Sequence, residues 1–115
     1  MAASVAIASV AVLHVVFLIL EMFLWTKPSG RRIFGITREF AEQTKVLAAN
    51  QGLYNGFLSA GLIWGLVLGS AGSGIKVFFL CCILIAGLFG AATANRKILF
   101  IQAMPAAIGL LLLIL

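Results

Sequence analysis

Glu21 and His14 are the two side chains of this sequence best suited to moving protons, and they stand seven residues apart in an otherwise apolar stretch. A spacing of seven returns to the same face of a helix with the groups about 10 Å apart, too far for a direct hydrogen bond. A carboxyl and an imidazole so placed are candidate proton-transfer groups for an occupant lying between them. Further along, Gln43, Asn50, Gln51, Tyr54, Asn55 and Ser59 recur at spacings of three, four and seven. At about 100° per residue, Gln43, Asn50 and Tyr54 fall within roughly 40° of one another, with Gln51 and Asn55 widening the stripe on one side. Carboxamides and a phenol donate and accept hydrogen bonds without a charge, which suits Asn50, Gln51, Tyr54 and Asn55 to holding the polar end of a small molecule. Gln102 and Trp25 join the candidate ligand-binding set. Trp25 lies one turn beyond Glu21, where an aromatic ring serves as an interfacial anchor or as a lid.

The elements that must position these groups follow from composition. Of 115 residues, 63% are hydrophobic and 10% charged, and the mean hydropathy is +1.21. A water-soluble domain of this size cannot bury so large an apolar fraction, because small folds have too much surface for their volume. Lipid is therefore the expected surrounding and partner. At about 20 residues per crossing the length allows four spans and little else. The formal charge of +5 sits between apolar runs and reads as a topology signal, which argues against nucleic acid as a partner. Cys81 and Cys82 are adjacent, so they point about 100° apart on a helix, and two thiols alone form no metal site. No motif names a cofactor.

The expected fold is all-α, a single four-helix transmembrane bundle with spans at about 2–26, 46–69, 75–94 and 98–115. Lys27 to Gly35 reads as a break in which Pro28 and Gly30 stop the first helix. Thr37 is the expected N-cap of an amphipathic lead-in that carries Arg38, Glu39, Glu42 and Lys45 and continues into the second span. Gly52 with Gly56, the row Gly61, Gly65 and Gly69, and the Ala86 and Gly90 pair offer close helix approach, within the bundle or between copies of a homo-oligomer. Ser70 to Gly74 and Asn95 to Lys97 read as turns.

The first and third connections hold Lys27, Arg31, Arg32, Arg38, Lys45, Arg96 and Lys97, while the opposite side holds Lys76. By the positive-inside rule those connections face the cytoplasm, both termini lie on the non-cytoplasmic side, and the expected location is a bacterial inner membrane crossed several times. On a rise of about 1.5 Å per residue, Glu21 lies roughly 9 Å in from Lys27, Asn50 and Gln51 about 6 to 8 Å in from Val46, and Gln102 about 6 Å in from Ile98. Polar groups from three helices thus share a layer. Because an unpaired polar group in hydrocarbon costs several kcal/mol, they are expected to turn inward around a pocket that opens toward the cytoplasm.

The segments that carry His14, Leu20 to Trp25 (LEMFLW), Phe34 with Gly35, Leu47 to Gly65 (LAANQGLYNGFLSAGLIWG) and Arg96 to Leu99 (RKIL) with Gln102 and Pro105 resemble domain-of-unknown-function family 1304. These are small four-span bacterial membrane proteins, and the likeness covers nearly the whole chain. It implies a four-helix integral-membrane fold and brings no activity with it. A weaker likeness is to the membrane-associated eicosanoid and glutathione metabolism proteins, which are also four-span with polar residues early in helix two. The arginine-rich signature that those enzymes use for glutathione is not evident here, and Arg38 and Lys45 read as lying outside the polar wall.

Three functions are expected from these features. The first is binding or conversion of a small lipophilic molecule in the polar pocket. The second is a small transporter or channel, proton-coupled through Glu21 and acting as an oligomer, against which stands the apolar outer half of the spans. The third is an assembly subunit whose polar wall docks a partner helix.

Overall fold

The computed structural model describes residues 1–115 and is all-helical, with no strand. Five α-helices follow one another: α1 (Ala2–Met22), α2 (Pro28–Phe34), α3 (Arg38–Val67), α4 (Ser73–Thr93) and α5 (Met104–Ile114). A 3₁₀ turn, Gly69–Gly72, leads into α4, and a π-helical turn, Leu99–Ala103, leads into α5. Two stretches are long and apolar enough to cross a membrane: α1, and Gly69–Thr93 as a continuous run. Leu99–Ile114 is apolar but shorter. Helix α3 is the longest at 30 residues, but its first half carries four charged residues and three of its four carboxamides.

Lys27 to Gly35 corrects the sequence expectation. The first helix ends at Met22, before the break, and Pro28 starts a helix where it was expected to end one. Proline costs nothing in a first turn, where its missing N–H would have no intrahelical acceptor. Lys27 supplies the extended N-cap residue, and the short helix closes at Gly35 with φ 64°. The Ile36 N–H donates to the Arg31 carbonyl at 3.1 Å, the six-to-one bond that requires a left-handed residue and so favours glycine. Gly30 is buried so close to the end of α1 that a Cβ there would collide with the Leu24 carbonyl. Thr37 caps α3 as expected: its Oγ1 accepts from the Phe40 N–H at 3.1 Å.

The backbone forms two compact units. The first comprises Met1–Val12 and Leu58–Leu115, the second Leu13–Phe57. In the first unit Ile7, Val10, Ala11, Leu62, Leu80, Ile83 and Ala106 make a fully buried core, drawn from four different helices. Small residues set its spacings: Gly61 lies against the Phe79 ring, Gly65 against Gly72 and the Lys76 stem, and Gly87 against the backbone of Ala103. Ser59 Oγ donates to the Ala11 carbonyl at 2.9 Å, which satisfies a buried hydroxyl with the one acceptor type a helix always exposes. The π-helical turn precedes Pro105, whose ring cannot donate to the preceding turn. The Met104 N–H instead reaches back five residues to Leu99, the wider loop that defines a π turn.

In the second unit the end of α1 lies against the middle of α3. Gly52 marks the approach, where a Cβ would stand 2.7 Å from Met22 Cγ, 3.1 Å from Glu21 Cβ and 3.2 Å from the Leu18 carbonyl. Gly56 meets Leu18 one turn further on. These glycines are therefore filled by their own chain.

Candidate functional site

Glu21 sits in the last turn of α1, and the close approach at Gly52 brings its side chain within reach of α3. There Asn55 Nδ2 donates to Glu21 Oε1 at 2.6 Å. Glu21 is half-buried, and its second carboxyl oxygen has no partner within the fold. The carboxyl borders a groove of about 330 Å³ whose wall also includes Trp25, Thr26, Lys45, Val46 and Ala49. An acidic and a basic residue thus border one concavity between apolar walls.

The groove's rim is held by a chain of short contacts. Trp25 Nε1 donates to Thr44 Oγ1 at 3.0 Å, and Thr44 Oγ1 donates in turn to the Phe40 carbonyl at 2.7 Å. The indole also lies against the Phe34 ring, centroids 4.9 Å apart, so α2 braces it from the other side. Arg31 Nε donates to the Thr26 carbonyl at 3.2 Å. Lys45 pairs with Glu42 at 3.1 Å, both about half exposed, a solvent-screened contact of small energy that leaves the ammonium able to swing into the groove.

The other expected residues divide. Asn50 Nδ2 donates to Tyr54 OH at 3.1 Å, and both side chains are exposed, as are Gln51 and Gln43. Asn50 borders a second groove of about 630 Å³ with Met22, Gln43, Val46, Leu47 and Leu53. Tyr54 and Gln51 border neither. His14 is fully buried, with its ring edge-on to Phe17 at 5.3 Å. Gln102 belongs to the first unit, in the π-helical turn beside Ala103. Within the second unit the geometry pairs Glu21 with Asn55 and leaves Asn50 and Tyr54 on an exposed stripe. The reason is angular. At about 100° per residue Asn55 lies about 140° from Asn50 and 100° from Tyr54, and α1 approaches on the Gly52 side, which among Asn50, Gln51, Tyr54 and Asn55 only Asn55 shares.

Sequence reasoning did not single out Lys45 or Thr44. Both were read as part of an amphipathic lead-in, and only the position of Trp25 beside them draws them to the site. No group of three or more metal-ligating side chains is assembled.

Comparison with known proteins agrees with the resemblance carried by these segments. An uncharacterised protein, YpaA, of Lactococcus lactis subsp. lactis (strain IL1403) is 34% identical over 94 residues, which cover 80% of this chain and 79% of that one. No solved structure matches the chain. The family described as protein of unknown function DUF1304 matches residues 8–114, and the chain belongs to that family.

Proposed function

We propose that this protein is a multi-pass inner-membrane protein that binds a small lipophilic molecule in the groove beside Glu21, at the cytoplasmic end of a four-span bundle. In this reading α1, α3, α4 and the π-helical turn with α5 are the four spans. The basic connections lie in the cytoplasm and both termini outside. The occupant's apolar body lies along Met22, Val46 and Ala49. Its polar end is neutral and carries both a donor and an acceptor, as a hydroxyl or primary amide does: it donates to the second oxygen of Glu21 and accepts from Lys45. Trp25 closes the rim, and Asn55 holds the Glu21 carboxyl toward the groove. Glu21 is also the group through which a proton would pass if the occupant is a substrate, and His14, buried away from the groove, takes no direct part.

The observation that carries the reading is the Glu21 carboxyl itself, an acid at the end of an apolar helix with one oxygen held at 2.6 Å by Asn55, in a residue that borders a concavity. Ionisable groups inside membrane helices are expensive and mark functional sites. The test is mass spectrometry of organic extracts from detergent-purified protein. Wild type should retain a stoichiometric amphiphile, and Glu21→Gln, which preserves the bond with Asn55, should lose it. Equal retention by both proteins ends the proposal.

A further inference from the structure

Along α3 one stripe of side chains has no intramolecular cover, and its spacing is that of a coiled coil. Gln43, Asn50, Phe57 and Trp64 recur every seven residues, and Val46, Leu53, Ala60 and Val67 follow each of them by three. All eight are exposed, Val46 and Val67 each at 78%. The alternation of three and four is the a and d pattern of two helices that wrap left-handedly around each other, the commonest sense of packing between membrane helices. The buried residues of α3, among them Ala41, Ala48, Gly52, Ser59 and Leu62, lie off this stripe, so the helix presents one seam to its own chain and another outward.

We infer that this outward seam is the interface with a second copy of the same chain, α3 against α3 in parallel. Two features select a copy over another partner. Copies inserted in the same orientation present α3 in the same direction, so a two-fold axis along the membrane normal brings each position against its equivalent. The polar groups at the two a positions nearest the cytoplasm, Gln43 and Asn50, are carboxamides, which donate and accept equally and so complement themselves. A single Asn at an a position is a well-attested device for fixing parallel register. Asn50 spends one N–H on Tyr54 and keeps its carbonyl oxygen and second N–H for its counterpart, groups that lipid leaves unsatisfied. The second groove, bordered by Gln43, Val46, Asn50 and Leu53, is the hole into which a d side chain of the other copy inserts. The glycine rows of α3, packed against Leu18, Met22, Phe79 and Lys76, take no part.

The inference shares with the proposed function the membrane location, α3 as a span and the side chain of Val46, which borders both grooves; carbonate-resistant sedimentation of the membranes checks the location first. In a Cys81→Ala, Cys82→Ala background, Leu53→Cys and Ala60→Cys should form disulfide-linked dimers in native membranes on treatment with copper phenanthroline. Ile85→Cys and Val12→Cys, exposed positions on other helices, should not. Asn50→Leu should weaken dimerisation, read by energy transfer between labelled copies diluted in lipid, about sevenfold for two lost interhelical bonds. Amphiphile retention beside Glu21 should be unchanged in Asn50→Leu, which separates the two proposals. Cross-links at Ile85 or Val12 equal to those at Leu53, a Leu53 cross-link to a different protein, or undiminished dimerisation in Asn50→Leu would each overturn the inference.

Discussion

Asn55 and Glu21, 34 residues apart in sequence, meet at 2.6 Å, and that bond ties the end of α1 to the middle of α3. It forms because Gly52, one turn before Asn55, removes the side chain that would otherwise hold the helices apart. Asn55→Leu takes away the donor and leaves a half-buried carboxyl oxygen without a partner, at an expected cost of about 1–2 kcal/mol. Glu21→Gln keeps an acceptor facing Asn55 and should be nearly neutral. Unfolding in mixed detergent micelles measures both, and an Asn55→Leu variant as stable as wild type would show that the pair carries no energy.

Glycines in this chain differ in what an added methyl would meet, and stability should follow that difference. At Gly87 a Cβ stands 2.6 Å from the Ala103 backbone nitrogen, an atom that cannot yield without moving the π-helical turn. Gly87→Ala is therefore expected to cost about 1–3 kcal/mol. At Gly74, in the first turn of α4, nothing lies within 4 Å, and Gly74→Ala should be neutral or stabilising by up to about 1 kcal/mol. Thermal aggregation midpoints of the two variants, measured side by side, decide the matter: equal midpoints would mean that the contact at Gly87 is not tight in solution.

How much of this was legible in the residues varies by position. Thr37 as the cap of α3 could be read because Ser and Thr caps act within one turn, and the helical class could be read because apolar runs set it. Helix α2 could not, since Pro28 is equally a stop for the helix before it and a start for the one after, and the Lys27 backbone decides between them. The polar stripe of α3 was legible as a stripe, but which edge faces α1 depends on Gly52 and not on the carboxamides. That is why Asn55 meets Glu21 while Asn50 and Tyr54 pair with each other. Lys45 was hidden for a related reason: a lysine in an amphipathic turn looks solvated until a tryptophan from another helix is placed beside it.

The Trp25 indole is fixed by two different contacts, a hydrogen bond to Thr44 at 3.0 Å and the Phe34 ring at 4.9 Å. Trp25→Phe keeps the ring contact and loses the bond, as does Thr44→Val, each at an expected cost of about 0.5–1.5 kcal/mol. Because both remove the bond between them, the double variant should cost less than the sum of the two single ones. Full additivity in that cycle would show that the indole and the hydroxyl do not interact.

The proposed topology makes a sharper demand, because two short turns must face opposite sides of the membrane. Ser70 lies in the uncharged 3₁₀ turn before α4, and Asn95 lies beside Arg96 and Lys97 after it, where its Oδ1 accepts from the Lys97 N–H at 2.9 Å. The charge difference between these turns is what the positive-inside rule acts on. In a Cys81→Ala, Cys82→Ala background, a membrane-impermeant maleimide added to intact cells should label Ser70→Cys and should reach Asn95→Cys only after permeabilisation. Moving the charge tests the cause: Arg96→Ser with Lys97→Ser should lower the bias and give a mixed labelling pattern. Labelling of Asn95→Cys in intact cells would reverse the assignment and place the Glu21 groove at the outer surface.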